Sequence, residues 1–101
     1  MLMTTKRIKE LGNTWEERLW RTAVLRSELT GHHAIVSGSS VEQASEFAAQ
    51  LSERTYDIIK RRFECETIPE IARSYALSDG RVEKIIQKAT LQLMWFLYHA
   101  N

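Results

Sequence analysis

The chain is poor in the residues that staple, break or anchor a fold. Cys65 is the one cysteine in 101 residues, so no internal disulfide can form. No Cys/His spacing suits a structural zinc site, which points to an intracellular chain without a metal. One proline and four glycines are too few for a turn-rich sandwich or barrel, and no β-branched alternation of period two stands out. That leaves an all-α class. The longest apolar stretch, residues 91–98, is interrupted by Gln92 and falls far short of the ~20 residues a membrane span needs. Residues 1–12 lack the apolar segment of a signal peptide. Charge of one sign is also missing. The net charge is +1, with six basic and six acidic residues in positions 1–50, then eight and seven in the remainder. No phosphate-binding loop, paired catalytic carboxylates or nucleophile and base arrangement is present, so nothing supports an enzyme or a cofactor.

What is present is helical periodicity on a scale of one small domain. From Thr4 to about Leu29, apolar residues recur at spacings of three and four: Ile8, Leu11, Trp15, Leu19, Ala23, Leu25 and Leu29. Gly12 either sits inside one helix at a cost of ~1 kcal/mol or marks a break, with Asn13 or Thr14 capping a helix from Trp15. Residues 30–40, TGHHAIVSGSS, read as a loop. Ser40 then caps a helix from Val41 whose period runs to Phe63, as one long element or as two with a second start near Ser52. Thr67 with Glu70 makes a capping box, and Pro69 fits the first turn. Ser78 caps a last helix from Asp79 to about Tyr98. The expected architecture is four to five helices. Residues 1–40 would hold the N-terminal amphipathic helix and loop, and residues 41–101 the remainder, as one compact unit.

The spacing from Ile68 onward is that of two helices crossing at a tight turn. Ala72 is fifth, where the crossing must be close. Ala76 and Leu77 are ninth and tenth, in the turn and the core behind it. Val82 and Ile85 are fifteenth and eighteenth, on the inner side of the second helix. This is helix-turn-helix spacing, and it offers the outer side of the second helix to a DNA groove.

Residues 51–93 resemble region 4 of sigma-70 factors through Leu51, Glu53-Arg54, Ile58-Ile59, Arg62-Phe63, Thr67, Glu70-Ile71-Ala72, Leu77-Ser78, Val82, Ile86 and Ala89. The whole chain looks like small phage-type transcription regulators that carry such a module after a helical N-terminal half. The resemblance implies promoter DNA and RNA polymerase as partners, in the cytoplasm. Two positions depart from it. Ala76 stands where the turn usually has glycine, so the turn is either strained or differently shaped. Asp79 and Gly80 open the second helix where many relatives are basic or polar.

On that helix Arg81, Lys84, Gln87 and Lys88 avoid the apolar positions and, with Ser78, Asp79 and Gly80, form the outward side. Arg81 and Lys84 suit base edges, Lys88 a phosphate, and Asp79 a cytosine amino group. The dull alternative is a solvated face. Lys60, Arg61 and Arg62 would clamp the DNA backbone, although cations near a helix C-terminus suit any protein. Arg73 is a further phosphate candidate. The apolar end of the last helix, with Met94, Trp95 and Tyr98, needs a cover: the N-terminal helix with Trp15 and Trp20, or a second copy in a homodimer. His32 and His33 diverge in direction and lack acidic or thiol neighbours, so they are not read as metal ligands.

A chain this close to neutral gains little from phosphate neutralisation and needs a partner to bind DNA well. The expected function is a transcription regulator that reads promoter DNA with RNA polymerase or as a homodimer. The alternative is an inhibitor or antitermination factor that binds polymerase or a sigma factor without reading DNA. A helix-turn-helix oligomer for DNA packaging or recombination is the third class.

Overall fold

Capping side chains divide the chain into its helices. The computed structural model describes residues 4–100. Among them lie seven helices and no strand: α1 (Thr5–Lys9), α2 (Trp15–Thr30), α3 (His33–Val36), α4 (Val41–Ala49), α5 (Glu53–Phe63), α6 (Ile68–Tyr75) and α7 (Asp79–Ala100). Gly12 marks a break. Its φ is +150°, and a Cβ there would strike the Glu17 carboxylate. Thr14 caps α2 by accepting from Glu17 N–H at 3.1 Å, while Glu17 Oε1 accepts from Asn13 N–H at 2.8 Å. Gly31 ends α2 in the left-handed region at φ 78°. Ser40 and Gln43 form one capping box, and Thr67 and Glu70 another. Ser52 starts α5 by accepting from Thr55 N–H at 3.3 Å, so residues 41–63 are two helices.

The count exceeds the four to five helices expected from sequence. Two of the extra elements come from the breaks at Gly12 and Ser52. The third is α3, a single turn inside the segment read as a loop, and it exists because Val36 is drawn fully into the core. The N-terminal stripe also differs. Leu19, Ala23 and Ser27, spaced four apart, are the buried residues of α2, whereas Leu29 is 87% exposed. Ser27 tolerates full burial because its hydroxyl donates to Val24 O at 2.5 Å.

Helix α7 organises the rest. Near its start, Val82 joins Ile58, Ile71 and Ala72 in a small cluster flanked by Ile68, Leu77 and Ile85. Farther along, Ala89, Leu93, Met94 and Leu97 join Ile8, Leu19, Ala23, Val36, Ala44, Ala48, Ile59 and Phe63 in the larger cluster. Ile86 packs against both. Two arginines also tie the N-terminal segments to the end of α5. Arg18 donates from Nη1 to Phe63 O at 3.0 Å and to Cys65 Sγ at 3.4 Å, and from Nε to Gly12 O at 2.9 Å. Arg62 donates from Nη1 to Glu66 O at 2.9 Å and to Thr5 Oγ1 at 3.2 Å. The chain therefore holds its second half in place with groups from its first.

Candidate nucleic-acid interface

The turn between α6 and α7 decides which side of α7 faces out. Ala76 adopts φ 54°, ψ 40°, the left-handed conformation that glycine usually supplies. This lets Leu77 N–H return to Ala72 O at 2.9 Å and turns the chain sharply. Ser78 then caps α7 by accepting from Arg81 N–H at 3.1 Å. Ala72 at the crossing is 2% exposed, and Val82 is fully buried. With that inner side fixed, Ser78, Asp79, Gly80, Arg81, Lys84, Gln87 and Lys88 are all exposed. Arg81, Lys84 and Lys88 enter no ion pair among the described residues. Arg73 is exposed on the neighbouring α6. The N-terminal half leaves this surface uncovered.

The three cations ending α5 have separate fates. Lys60 is half-buried. Arg61 is held from four sides. Its Nε bonds the Glu66 carboxylate, Nη2 donates to Ser74 Oγ at 2.8 Å, Nη1 lies 3.7 Å from Asp57, and the guanidinium sits 5.9 Å from the centre of the Tyr75 ring. Glu66 raises the Arg61 pKa further, so its charge is permanent. Tyr75 closes the loop by donating its hydroxyl to Asp57, which pushes the Tyr75 pKa up. Arg62 is the correction. It is 5% exposed, burial pushes its pKa down, and its guanidinium is committed to Glu66 O and Thr5 Oγ1. It joins α5 to the N-terminal segment, and a backbone phosphate cannot reach it without breaking those bonds.

The four aromatic residues and Met94 expected at an interface are mostly packed inside the chain. Met94 is fully buried in the larger core cluster. Trp15 packs edge-on to Tyr56 with ring centres 5.6 Å apart. Trp20 donates from Nε1 to Ser39 Oγ at 2.6 Å. Tyr98 is half-buried against His32 at 4.4 Å, and His32 also lies 5.1 Å from Trp95. Trp95 alone of the five keeps a large exposed area, 38%. Helices α2, α3 and α4 pack against α7 and cover part of its apolar end. His32 thus has a packing role that sequence reading missed, because its partners lie some sixty residues on. The Arg61 cradle was missed for the same reason: only Asp57 sits at a helical spacing from it. Among the described residues no group of three His, Cys, Asp or Glu is placed to hold a metal. Among the described residues no helix is long and apolar enough to cross a membrane.

Two helices crossing at a left-handed turn, with the second offering a polar outer side, define a helix-turn-helix. Residues 48–93 match the family model described as Sigma-70, region 4. This segment is a sigma-70 region 4-like helix-turn-helix, and modules of that family bind DNA in transcription. Comparison with curated proteins and with solved structures finds no match. The family match leaves out α1 to α3 and most of α4, together with the end of α7 that they cover.

Proposed function

We propose that this protein is a transcription regulator that reads promoter DNA through α7, in the cytoplasm, together with RNA polymerase or a second copy of itself. The observation that carries the reading is the exposure of Arg81 and Lys84, unpaired, on α7 away from the buried Val82 and Ala89. In this reading Arg81 and Lys84 contact base edges and Asp79 accepts from a cytosine amino group, with Ser78 and Gln87 beside them. Lys88, Arg73, Lys60 and the outer edge of Arg61 contact phosphates, and Arg62 is left out. The N-terminal half acts as a scaffold that forms one unit with the module.

Fluorescence anisotropy on promoter fragments tests this. Arg81→Ala is expected to cost about 1–3 kcal/mol of binding and to relax sequence preference. Lys88→Ala is expected to weaken all sequences alike and to reduce the salt slope by about one. If neither substitution changes binding, the outer side of α7 is not the reading surface.

A second reading has its own support. With a net charge of +1, and with Arg61 and Arg62 engaged internally, few cations remain for phosphates. The chain would then act as an inhibitor or antitermination factor that binds polymerase or a sigma factor. Retention of polymerase on the immobilised chain, with no DNA retardation at low salt, selects this reading.

A further inference from the structure

The chain covers only part of the apolar end of α7. Ala89, Thr90, Leu93, Met94 and Leu97 are buried there, whereas Gln92, Trp95 and His99, spaced three and four apart, are exposed. Along that exposed stripe runs an open groove of about 660 Å³ between the ends of α4 and α7. Phe47, Leu51, Trp95 and Phe96 give it apolar walls, and no lysine, arginine, aspartate or glutamate lines it. The walls are already ordered. Phe47 and Phe96 pack with ring centres 5.5 Å apart, and the Trp95 ring is held 5.1 Å from His32 and 5.5 Å from Tyr98. A neighbour docking on them has little side-chain freedom left to freeze.

We infer that a second copy of this chain seats on this groove, in a two-fold pair joined through the ends of α4 and α7. The inference deepens the DNA reading above by naming its partner, and the groove itself is described without DNA. Charge selects the occupant. Residues 89–101 hold no charged side chain of Asp, Glu, Lys or Arg, and neither do residues 47–52. Phosphates or a charged peptide would meet no counter-charge in the groove, and their desolvation would go uncompensated. Along the two helices that form the walls, the nearest charges are Glu46 on α4 and Lys88 on α7, each four residues before a groove-lining glutamine, Gln50 and Gln92. Both are exposed, and neither enters an ion pair among the described residues. Neutral apolar walls flanked by one charge of each sign make a surface complementary to itself. A two-fold axis sets that surface against its own copy, buries no charge, and brings a Glu46 and a Lys88 from each side. A pair also doubles the cations offered to phosphates, which a chain of net charge +1 needs. Eight residues line the groove, few beside the roughly 20–30 a side of a standard interface, so the pair is a weak one.

Sedimentation equilibrium of the full chain, without DNA, tests this over about 1–500 µM, a range chosen for the weak affinity of so small a contact. Wild type is expected to pass from monomer to dimer across that range. Trp95→Ala removes the aromatic anchor, and Gln92→Glu puts like charges into the neutral seam. Each is expected to weaken pairing about tenfold or more. The Gln92 side chain is exposed and makes no hydrogen bond among the described residues, so Gln92→Glu keeps the fold where loss of Trp95 disturbs it, and unfolding temperatures check both. Wild type that stays monomeric at every concentration overturns the inference, and so does a dimer that neither substitution weakens. If that monomer changes its tryptophan emission on addition of RNA polymerase, and Gln92→Glu does not, the occupant is polymerase and no second copy. The DNA reading fails separately, by anisotropy. A dimer that binds no DNA at low salt keeps the pairing and loses the reading, whereas a monomer that binds promoter DNA keeps the reading and loses the pairing.

Discussion

Cys65 and Ala76 are the non-glycine residues with positive φ among the described residues, at 76° and 54°. The left-handed conformation brings Cβ too close to the carbonyl oxygen, at a cost of about 1 kcal/mol or more. The two positions differ in what the side chain returns. Ala76 is exposed, so its methyl group contributes little packing. The Cys65 thiol packs against the larger core cluster and accepts from Arg18. Ala76→Gly is therefore expected to stabilise the protein by about 0.5–1 kcal/mol, the relief of strain being partly offset by the extra freedom glycine gives the unfolded chain. Cys65→Gly should gain less, because it also removes the Arg18 contact. Urea midpoints at neutral pH decide it. A lower midpoint for Ala76→Gly would show that the turn is not strained.

At the scale of the element, helix starts were legible in sequence where a side chain satisfies the free N–H groups of its own helix. Thr67, Pro69 and Glu70 foretold α6 because the cap involves residues three apart. The α7 surface was legible for a similar reason, since the apolar period of one helix fixes its polar side. What was not legible depends on distant partners. The turn of α3 exists through burial of Val36, and Arg62 turns inward to Thr5, 57 positions away. The Thr67 cap also carries a pH dependence. Thr67 Oγ1 donates to Glu70 Oε1 at 2.6 Å and Thr67 N–H at 3.1 Å, and these bonds lower the Glu70 pKa from its usual 4.5. A carboxylate whose pKa falls on folding adds stability above its unfolded pKa and loses it as pH drops through the folded one. Wild type should thus lose part of its stability below pH 4.5. Glu70→Gln keeps an acceptor for Thr67 N–H and does not titrate. Its deficit relative to wild type should be largest near pH 6 and shrink as pH falls through that window. Chemical denaturation at pH 6 and pH 3 measures both, and a constant deficit would remove Glu70 from the acid response.

For the whole molecule, the controlling feature is that one helix serves two cores. Helix α7 has 22 residues, about 33 Å at 1.5 Å each, in a molecule whose longest extent is 38 Å. Its start completes the helix-turn-helix through Val82, and its end is covered by α2, α3 and α4. Arg18 and Arg62 add polar ties between the same halves. Loosening the N-terminal core should therefore loosen the helix-turn-helix as well. Leu19 is 1% exposed in that core and is not part of the smaller cluster around Val82. Leu19→Ala is expected to cost about 2–5 kcal/mol by leaving a cavity. If the two cores unfold together, amide exchange must quicken to the same extent at Ala23 in α2 and at Ile71 and Ile86 in the module, with a single thermal transition. Faster exchange at Ala23 with unchanged protection at Ile71 would mean that the module folds independently of its scaffold. The outward side of α7 would then be held by the module alone, without support from α2, α3 and α4.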